Sequence, residues 1–116
     1  MANLINTTVF SRTGDTYTDG AYVEHTVPIQ GKQTLESAFS DGKLTIMLAF
    51  FKSQSMKSQG FGPFMACKSE TDLKPLNRLE LPITSDQAKT LSMSGVQTIV
   101  TSYLQSIYGT DKVTEV

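Results

Sequence analysis

The sequence has little of what covalent or metal-based stabilisation requires. Cys67 is its single cysteine and His25 is its single histidine. One cysteine excludes an intrachain disulfide bond, so the fold has to rest on packing. Without a cluster of cysteine and histidine residues, no metal site is predicted either.

Charge of one sign and long apolar runs are also missing. The chain carries 10 lysine and arginine residues against 11 acidic residues, a net charge of −1. This balance argues against non-specific nucleic-acid binding over the whole surface, but it leaves room for a local basic patch. The longest near-apolar run, Leu44–Phe51, is too short to span a bilayer, and the start MANLINTTVF does not have the pattern of a signal peptide. We therefore expect one soluble, intracellular domain, residues 1–116, with no membrane partner.

Catalytic motifs are the third absence. His25 follows Glu24 in a predicted strand, and no nucleophile accompanies it. Asp15 and Asp19 lack the glycine and closing glutamate of a calcium loop, and Gly-Phe-Gly at 60–62 lacks the Gly-Lys-Ser/Thr of a phosphate-binding loop. We predict no enzyme activity, no cofactor and no small-molecule substrate, and we expect His25 to be a surface or half-buried residue.

What the sequence does have is a series of strand-like segments. Alternation and turn residues predict strands near 7–11, 21–27, 43–52, 61–68 and 77–84, and a short strand near 33–39. Side chains in a strand point to alternate faces, so the segment 43–52 has two different faces. Its predicted core face is apolar: Leu44, Ile46, Leu48 and Phe50. Its other face is mixed: Lys43, Thr45, Met47, Ala49 and Phe51.

The last third of the chain carries the clearest helical pattern. Thr84 followed by Gln87 is a capping box, and apolar residues then recur at helical spacing as far as Tyr108. Gly109 stands where a left-handed cap is expected, and Gly95 is a place for a kink or a division. The tail after the helix is predicted to be loose. Strands followed by helix predict an α+β fold: an antiparallel β-meander with an N-terminal hairpin and one or two C-terminal helices on one sheet face.

The length of the helix bears on the oligomeric state. One helix of about 24 residues is about 36 Å long, whereas a sheet of four or five strands is about 14–19 Å wide. The apolar stripe then extends beyond its own sheet, which predicts a homodimer with a continuous sheet. The predicted dimer residues are those of the stripe: Val96, Ile99, Val100, Tyr103, Leu104 and Ile107. The alternative is a pair of shorter helices that both lie over the chain's own sheet.

Several segments resemble the coat proteins of positive-strand RNA bacteriophages, the levivirus-like coat proteins. They are GKLTIMLAFFKS as a sheet-centre strand, LNRLELPITSDQ as the last strand leading into the helix, YLQSIYG near the end, and TTVFSRTGDTY as the opening hairpin. The resemblance implies a homodimer in which the helices of each chain lie across the other, and an icosahedral shell built from these dimers. It also implies a virion assembled in the host bacterial cytoplasm, with a hairpin of single-stranded RNA bound on the exposed sheet face. The RNA-facing residues that it implies are Lys43, Thr45, Met47, Lys68, Arg78 and Glu80.

Other functions stay open at this point. A small phage-type single-stranded DNA-binding protein is also a dimeric sheet with a C-terminal helix, and it would hold bases on Phe51, Phe61 and Phe64. A non-enzymatic adaptor or inhibitor would bind another protein through the sheet. From charge alone, a solvated outer face is the simpler interpretation of the scattered lysine and arginine residues. Particles of megadalton size distinguish a coat protein from all of these.

Overall fold

The computed structural model describes residues 2–27, 39–40 and 42–116, and it has the predicted α+β fold. The strands are β1 (Ala2–Ile5), β2 (Val9–Ser11), β3 (Thr16–Tyr17), β4 (Ala21–Thr26), β5 (Phe39–Ser40), β6 (Lys43–Phe51), β7 (Ala66–Cys67), β8 (Arg78–Pro82) and β9 (Val113–Glu115). The helices are α1 (Gln54–Ser58), α2 (Ser85–Thr90) and α3 (Met93–Tyr108). The strand predicted near 33–39 lies outside the described residues, except for Phe39 at the start of β5.

The main sheet is antiparallel, with neighbouring strands in the order β8-β6-β4-β1-β9. The short strand β5 pairs with the beginning of β6, on the same edge of β6 that pairs with β4 further along. Met47 lies at the centre, opposite Thr26 of β4 on one side and Arg78 of β8 on the other. Because β1, β4, β6 and β8 lie side by side in the sheet in the same order in which they occur in the chain, the predicted meander is confirmed.

Both ends of the described chain enter the main sheet, a feature that the sequence did not predict. β1 pairs with β4 on one edge and with β9 on the other. The backbone N–H of Val116 donates to the carbonyl oxygen of Ala2 over 2.9 Å. The prediction of a loose tail is wrong, because pairing with β1 satisfies the backbone of these last residues.

A smaller sheet of three strands has the order β3-β2-β7. β2 and β3 are the predicted N-terminal hairpin, and β7 pairs with the other edge of β2. The return strand predicted at 61–68 is therefore reduced to two residues of this smaller sheet. Only Phe64 bridges to β6, opposite Phe50, and the preceding Pro63 has no N–H to extend that ladder.

The start of β4 depends on a glycine. Gly20 has a φ of 90°, and a Cβ atom at this position would lie 1.7 Å from the carbonyl oxygen of Ile5. Only glycine tolerates both this backbone conformation and this close approach. The contact brings the beginning of β4 against the end of β1, where Ala21 pairs with Ile5.

One face of the main sheet is covered by α3. Val96, Val100 and Leu104 on this helix have no exposed surface. They belong to one core with the apolar residues of β6, which are Leu44, Ile46, Leu48 and Phe50. The prediction that these four residues form a core face is confirmed.

A buried polar seam joins α3 to β1. The side-chain amide of Gln97 donates to the carbonyl oxygen of Ala2 over 3.0 Å and to Oδ1 of Asn3 over 3.3 Å. Nδ2 of Asn3, which is fully buried, donates to the hydroxyl of Thr101 over 2.8 Å. Glu115 of β9 accepts from the same hydroxyl over 2.9 Å, so the seam fixes both terminal strands against the helix.

The helical segment is divided. α2 begins at the predicted capping box, in which Thr84 Oγ1 accepts from the N–H of Gln87 and Gln87 Oε1 accepts from the N–H of Thr84. α2 ends at Thr90, and the side chain of Ser92 caps α3 by accepting from the N–H of Gly95. The division therefore lies before Gly95. The 16 residues of α3 span about 24 Å, close to the roughly 19 Å between the outer strands of the sheet, so helix length no longer calls for a second chain.

Two local features add detail to the fold. The polar segment 53–59 contains the short helix α1, because the side chain of Ser53 caps it by accepting from the N–H of Met56 over 3.1 Å. Gly109 ends α3 with the predicted positive φ, 113°, but its ψ of 143° is extended and not that of a left-handed helical residue.

Candidate functional site

The face of the main sheet opposite α3 is called the open face. Residues directly opposite each other in an antiparallel ladder point to the same side, so the pairing register defines its members. They include Ala2 and Leu4 of β1, Thr114 of β9, Tyr22, Glu24 and Thr26 of β4, Lys43, Thr45, Met47, Ala49 and Phe51 of β6, and Arg78, Glu80 and Pro82 of β8.

Five of the six residues predicted to face RNA lie together at one end of the open face. Thr45 is directly opposite Glu80, and Met47 is directly opposite Arg78. Lys43 lies on the same side of the sheet, at the beginning of β6. The three charged side chains are exposed, whereas Thr45 and Met47 are half-buried. We call these five residues the polar group.

Lys68 is the sixth predicted residue, and the structure places it elsewhere. It follows β7, whose partner is β2 of the smaller sheet, and its side chain is exposed. The prediction assumed that the segment 61–68 runs alongside β6. It does not, because the chain leaves β6 after the single bridge at Phe64.

Glu80 stands between the two cations of the polar group. Arg78 Nε is 3.5 Å from one carboxylate oxygen of Glu80, and Lys43 Nζ is 3.5 Å from the other. Ion pairs between side chains this exposed contribute little to stability, so both cations remain able to exchange Glu80 for another anion. The carboxylate holds them on one side of the sheet and reduces the charge of the three residues to +1.

The other end of the open face is apolar and lies beneath α1. Tyr22 and Phe51 are nearly buried there, with ring centroids 6.4 Å apart. Lys57 of α1 pairs with Glu24, and its ammonium lies 6.0 Å from the ring centroid of Tyr22 and 5.9 Å from that of Phe51. The Tyr22 hydroxyl donates to the same carboxylate over 3.1 Å. The hydrogen bond from Lys57 lowers the pKa of Glu24, and the reciprocal contact raises the pKa of Lys57.

The predicted dimer residues divide into two groups. Val96, Val100 and Leu104 are fully buried against the chain's own sheet and leave no surface for a second chain. The other three are half-buried: Ile99, Tyr103 and Ile107. Of the six helix residues predicted to contact a second chain, only these three therefore have exposed surface for it.

The free side of β8 is an edge of the kind that the predicted continuous-sheet dimer requires, and the groove beside it was not predicted from the sequence. Among the described residues β8 pairs only with β6, so its outer backbone edge has no strand partner. A groove of about 460 Å³ runs beside it, between the end of β8 and the helices. Its apolar lining consists of Leu81, Pro82, Ile83, Leu91 and Ile99. The groove lies where the helical segment divides, since its lining includes Thr90 at the end of α2 and Leu91 after it.

His25 lies on the helix-covered face, opposite Leu48. It is more buried than predicted, because β4 turns this residue toward the core. Burial lowers the pKa of its imidazole, so the ring is neutral at pH 7. Within 2–27, 39–40 and 42–116, no group of three histidine, cysteine or acidic residues is placed to hold a metal ion. Nor does any helix in the described parts of the chain have the length and apolar character to span a membrane.

Comparison of the chain with protein-family models, with curated proteins and with solved structures finds no match.

Proposed function

We propose that this chain is the coat protein of an RNA bacteriophage, a non-enzymatic subunit that dimerises, assembles into an icosahedral shell and binds genomic RNA on the open face. One observation supports this most: α3 seals one face of the main sheet, while the opposite face carries exposed cations beside half-buried Thr45 and Met47. A sheet with one sealed and one accessible face suits a shell wall, whose inner side meets the packaged nucleic acid. The segments that resemble phage coat proteins support the same proposal.

The polar group has the chemistry that single-stranded RNA requires. Lys43 and Arg78 neutralise phosphates, which supply most of the affinity. Thr45 offers a hydroxyl and Met47 an apolar surface to unstacked bases. Glu80 accepts hydrogen bonds from base amino groups. A phosphate has no hydrogen to donate to this carboxylate, so Glu80 adds discrimination between bases.

The dimer in this proposal forms through β8. Two β8 strands pair antiparallel about a two-fold axis, which joins the sheets into one continuous surface and removes the unpaired edge. The apolar groove beside β8 then receives side chains of the second copy, and Ile99 takes part from the helix. This edge replaces helix length as the reason to expect a dimer.

A single-stranded DNA-binding protein is the second candidate, and Phe61 favours it. This side chain is 55% exposed, as expected of a platform for stacking bases. Phe51, by contrast, is nearly buried under α1 and cannot serve as a free platform. The two candidates differ in particle formation and in preference for the ribose 2′-hydroxyl.

The test combines particle size with binding. Recombinant protein is expected to give megadalton particles in size-exclusion chromatography. Its dimers should bind a random 20-nucleotide RNA more tightly than the equivalent DNA. In a salt series, the double variant Lys43→Gln, Arg78→Gln should bind RNA more weakly, with a slope reduced by about 0.7 for each lost phosphate contact.

Lys68→Gln is the matched control, since this lysine is equally exposed but lies in the smaller sheet. It should leave the salt slope unchanged. Equal effects of the double variant and the control would remove the RNA site from the open face. A dimer that prefers DNA and forms no particles would select the second candidate.

A further inference from the structure

A small aromatic cleft lies at the end of β6, where α1 and the segment that follows it approach the smaller sheet. Its volume is about 160 Å³, and its lining includes Tyr17, Phe51, Lys52, Met56, Phe61 and Phe64. Tyr17 and Phe64 form a stacked pair inside it, with ring centroids 4.2 Å apart and planes 27° apart. Since an apolar cavity of about 150 Å³ accommodates benzene, this cleft suits one flat ring system and not a helix or a strand of a partner.

The mouth of the cleft carries an exposed ring and a cation. Phe61 exposes more than half of its surface, which is unusual for a phenylalanine next to other aromatic side chains. Lys52 is exposed, and it is absent from the ion pairs formed among the described residues. A stacking surface with an available ammonium group matches a ligand that has a flat ring and an anionic group side by side.

We propose that this cleft binds one unpaired base of a single-stranded RNA, which stacks on Phe61 while Lys52 contacts the adjacent phosphate. The inference rests on the proposed function, because it takes the base to belong to the strand bound on the open face. The two sites are continuous along β6, since Phe51 belongs both to the open face and to the cleft. Met47 and Phe51 are about 13 Å apart along the strand, so one RNA segment reaches both sites.

Charge sets the direction from which the strand enters. A larger groove of about 820 Å³ adjoins the cleft and shares Lys52 with it, but its lining includes Asp15 and Asp19. These carboxylates repel phosphates, so the groove is the unfavourable entry. Lys57 lies above Phe51, on the open-face side of the cleft, where it pairs with Glu24. The RNA strand therefore enters the cleft from the open face, past Lys57.

The experiment uses two RNA probes of equal charge, an oligouridylate of eight nucleotides and its abasic counterpart. Binding of each probe is measured by fluorescence anisotropy. Phe61→Ala should weaken binding of oligouridylate about tenfold and leave the abasic probe unchanged, because base stacking on one aromatic ring contributes on that scale. Lys52→Gln should weaken both probes. Leu73→Ala is the control, since Leu73 is also an exposed apolar side chain but lies outside the cleft, and it should change neither.

The outcomes separate this inference from the proposed function. If Phe61→Ala binds oligouridylate like the wild type while Lys43→Gln, Arg78→Gln does not, the cleft is not a base site and the proposed function stands. If the wild type binds neither probe, both proposals fail. If Phe61→Ala abolishes particles but keeps full RNA affinity, the cleft receives a neighbouring copy and the inference is overturned.

Discussion

The two faces of β6 come from one run of nine residues and have opposite surroundings. On the helix-covered face, Leu44 and Ile46 have no exposed surface. On the open face, Lys43 is exposed and Met47 is half-buried. The run KLTIMLAFF has one apolar and one mixed face, and among the described residues only the apolar face has a covering layer along its length. The second face is shielded in part by neighbouring strands and, at its apolar end, by α1, so an apolar strand does not imply two packed layers.

The sharpest test of this difference is a pair of adjacent alanine substitutions. Ile46→Ala should lower the free energy of unfolding by about 2–5 kcal/mol, because it leaves a cavity in the core that the sheet shares with α3. Met47→Ala, on the next residue and the other face, should cost less than about 1 kcal/mol, since its environment is half solvent. Urea unfolding followed by circular dichroism measures both. Similar losses at the two positions would mean that the open face is covered in solution.

The polar seam offers a smaller effect on the helix-covered face. Asn3→Ala removes the side chain that bonds both Gln97 and Thr101, so it should lower the free energy of unfolding by about 1–3 kcal/mol. Amide hydrogen exchange should quicken first in β1 and β9, which the seam fixes against α3. Asn77→Ala is the control, because that asparagine is half-buried, directly precedes β8 in the chain and takes no part in the seam. Unchanged protection of β9 in the Asn3 variant would contradict a role for the seam.

The smallest effect is expected at the ion pair of the open face. The pKa of Glu24 is lowered by Lys57, so its contribution to stability is present above the ordinary value of 4.5 and is lost as the pH falls through the lowered pKa. Lys57→Gln should therefore be slightly less stable than the wild type at pH 7, and the difference should be smaller at about pH 3, which is below the ordinary pKa of Glu24. Urea midpoints at the two pH values measure this. Lys52→Gln is the control, and its urea midpoints should equal those of the wild type at both pH values. If the difference between Lys57→Gln and the wild type is the same at both pH values, the ion pair is not its cause.

Local patterns predicted much of the fold. The alternation in β6 identified its core face, and β8 follows the same period, with half-buried Leu79 and Leu81 alternating with exposed Arg78 and Glu80. The capping box of α2 was also predictable. Each of these depends on residues within a few positions of one another, where side-chain period and hydrogen-bonding capacity are decisive.

Long-range pairing was not predictable in the same way. Nothing in the residues of β9 indicates that their partner is β1, at the other end of the chain. The candidate site shows the same limit. Lys43 and Arg78 lie on one face of the sheet because β6 pairs with β8, whereas Lys68 follows a strand that pairs with β2 and not with β6. The division of the helix at Ser92 likewise depends on a cap that competes with helix continuation.

The hydrogen bonds between Ala2 and Val116 have a consequence for synthesis in the cell. About 110 residues separate the two partners, so at roughly 5–20 residues per second the ribosome makes the second one about 5–20 seconds after the first. During that interval the outer edge of β1 has no strand to pair with. Where many copies are translated close together, the waiting edge is open to strands of other nascent chains. The rate of elongation therefore sets how long this edge of β1 stays unpaired.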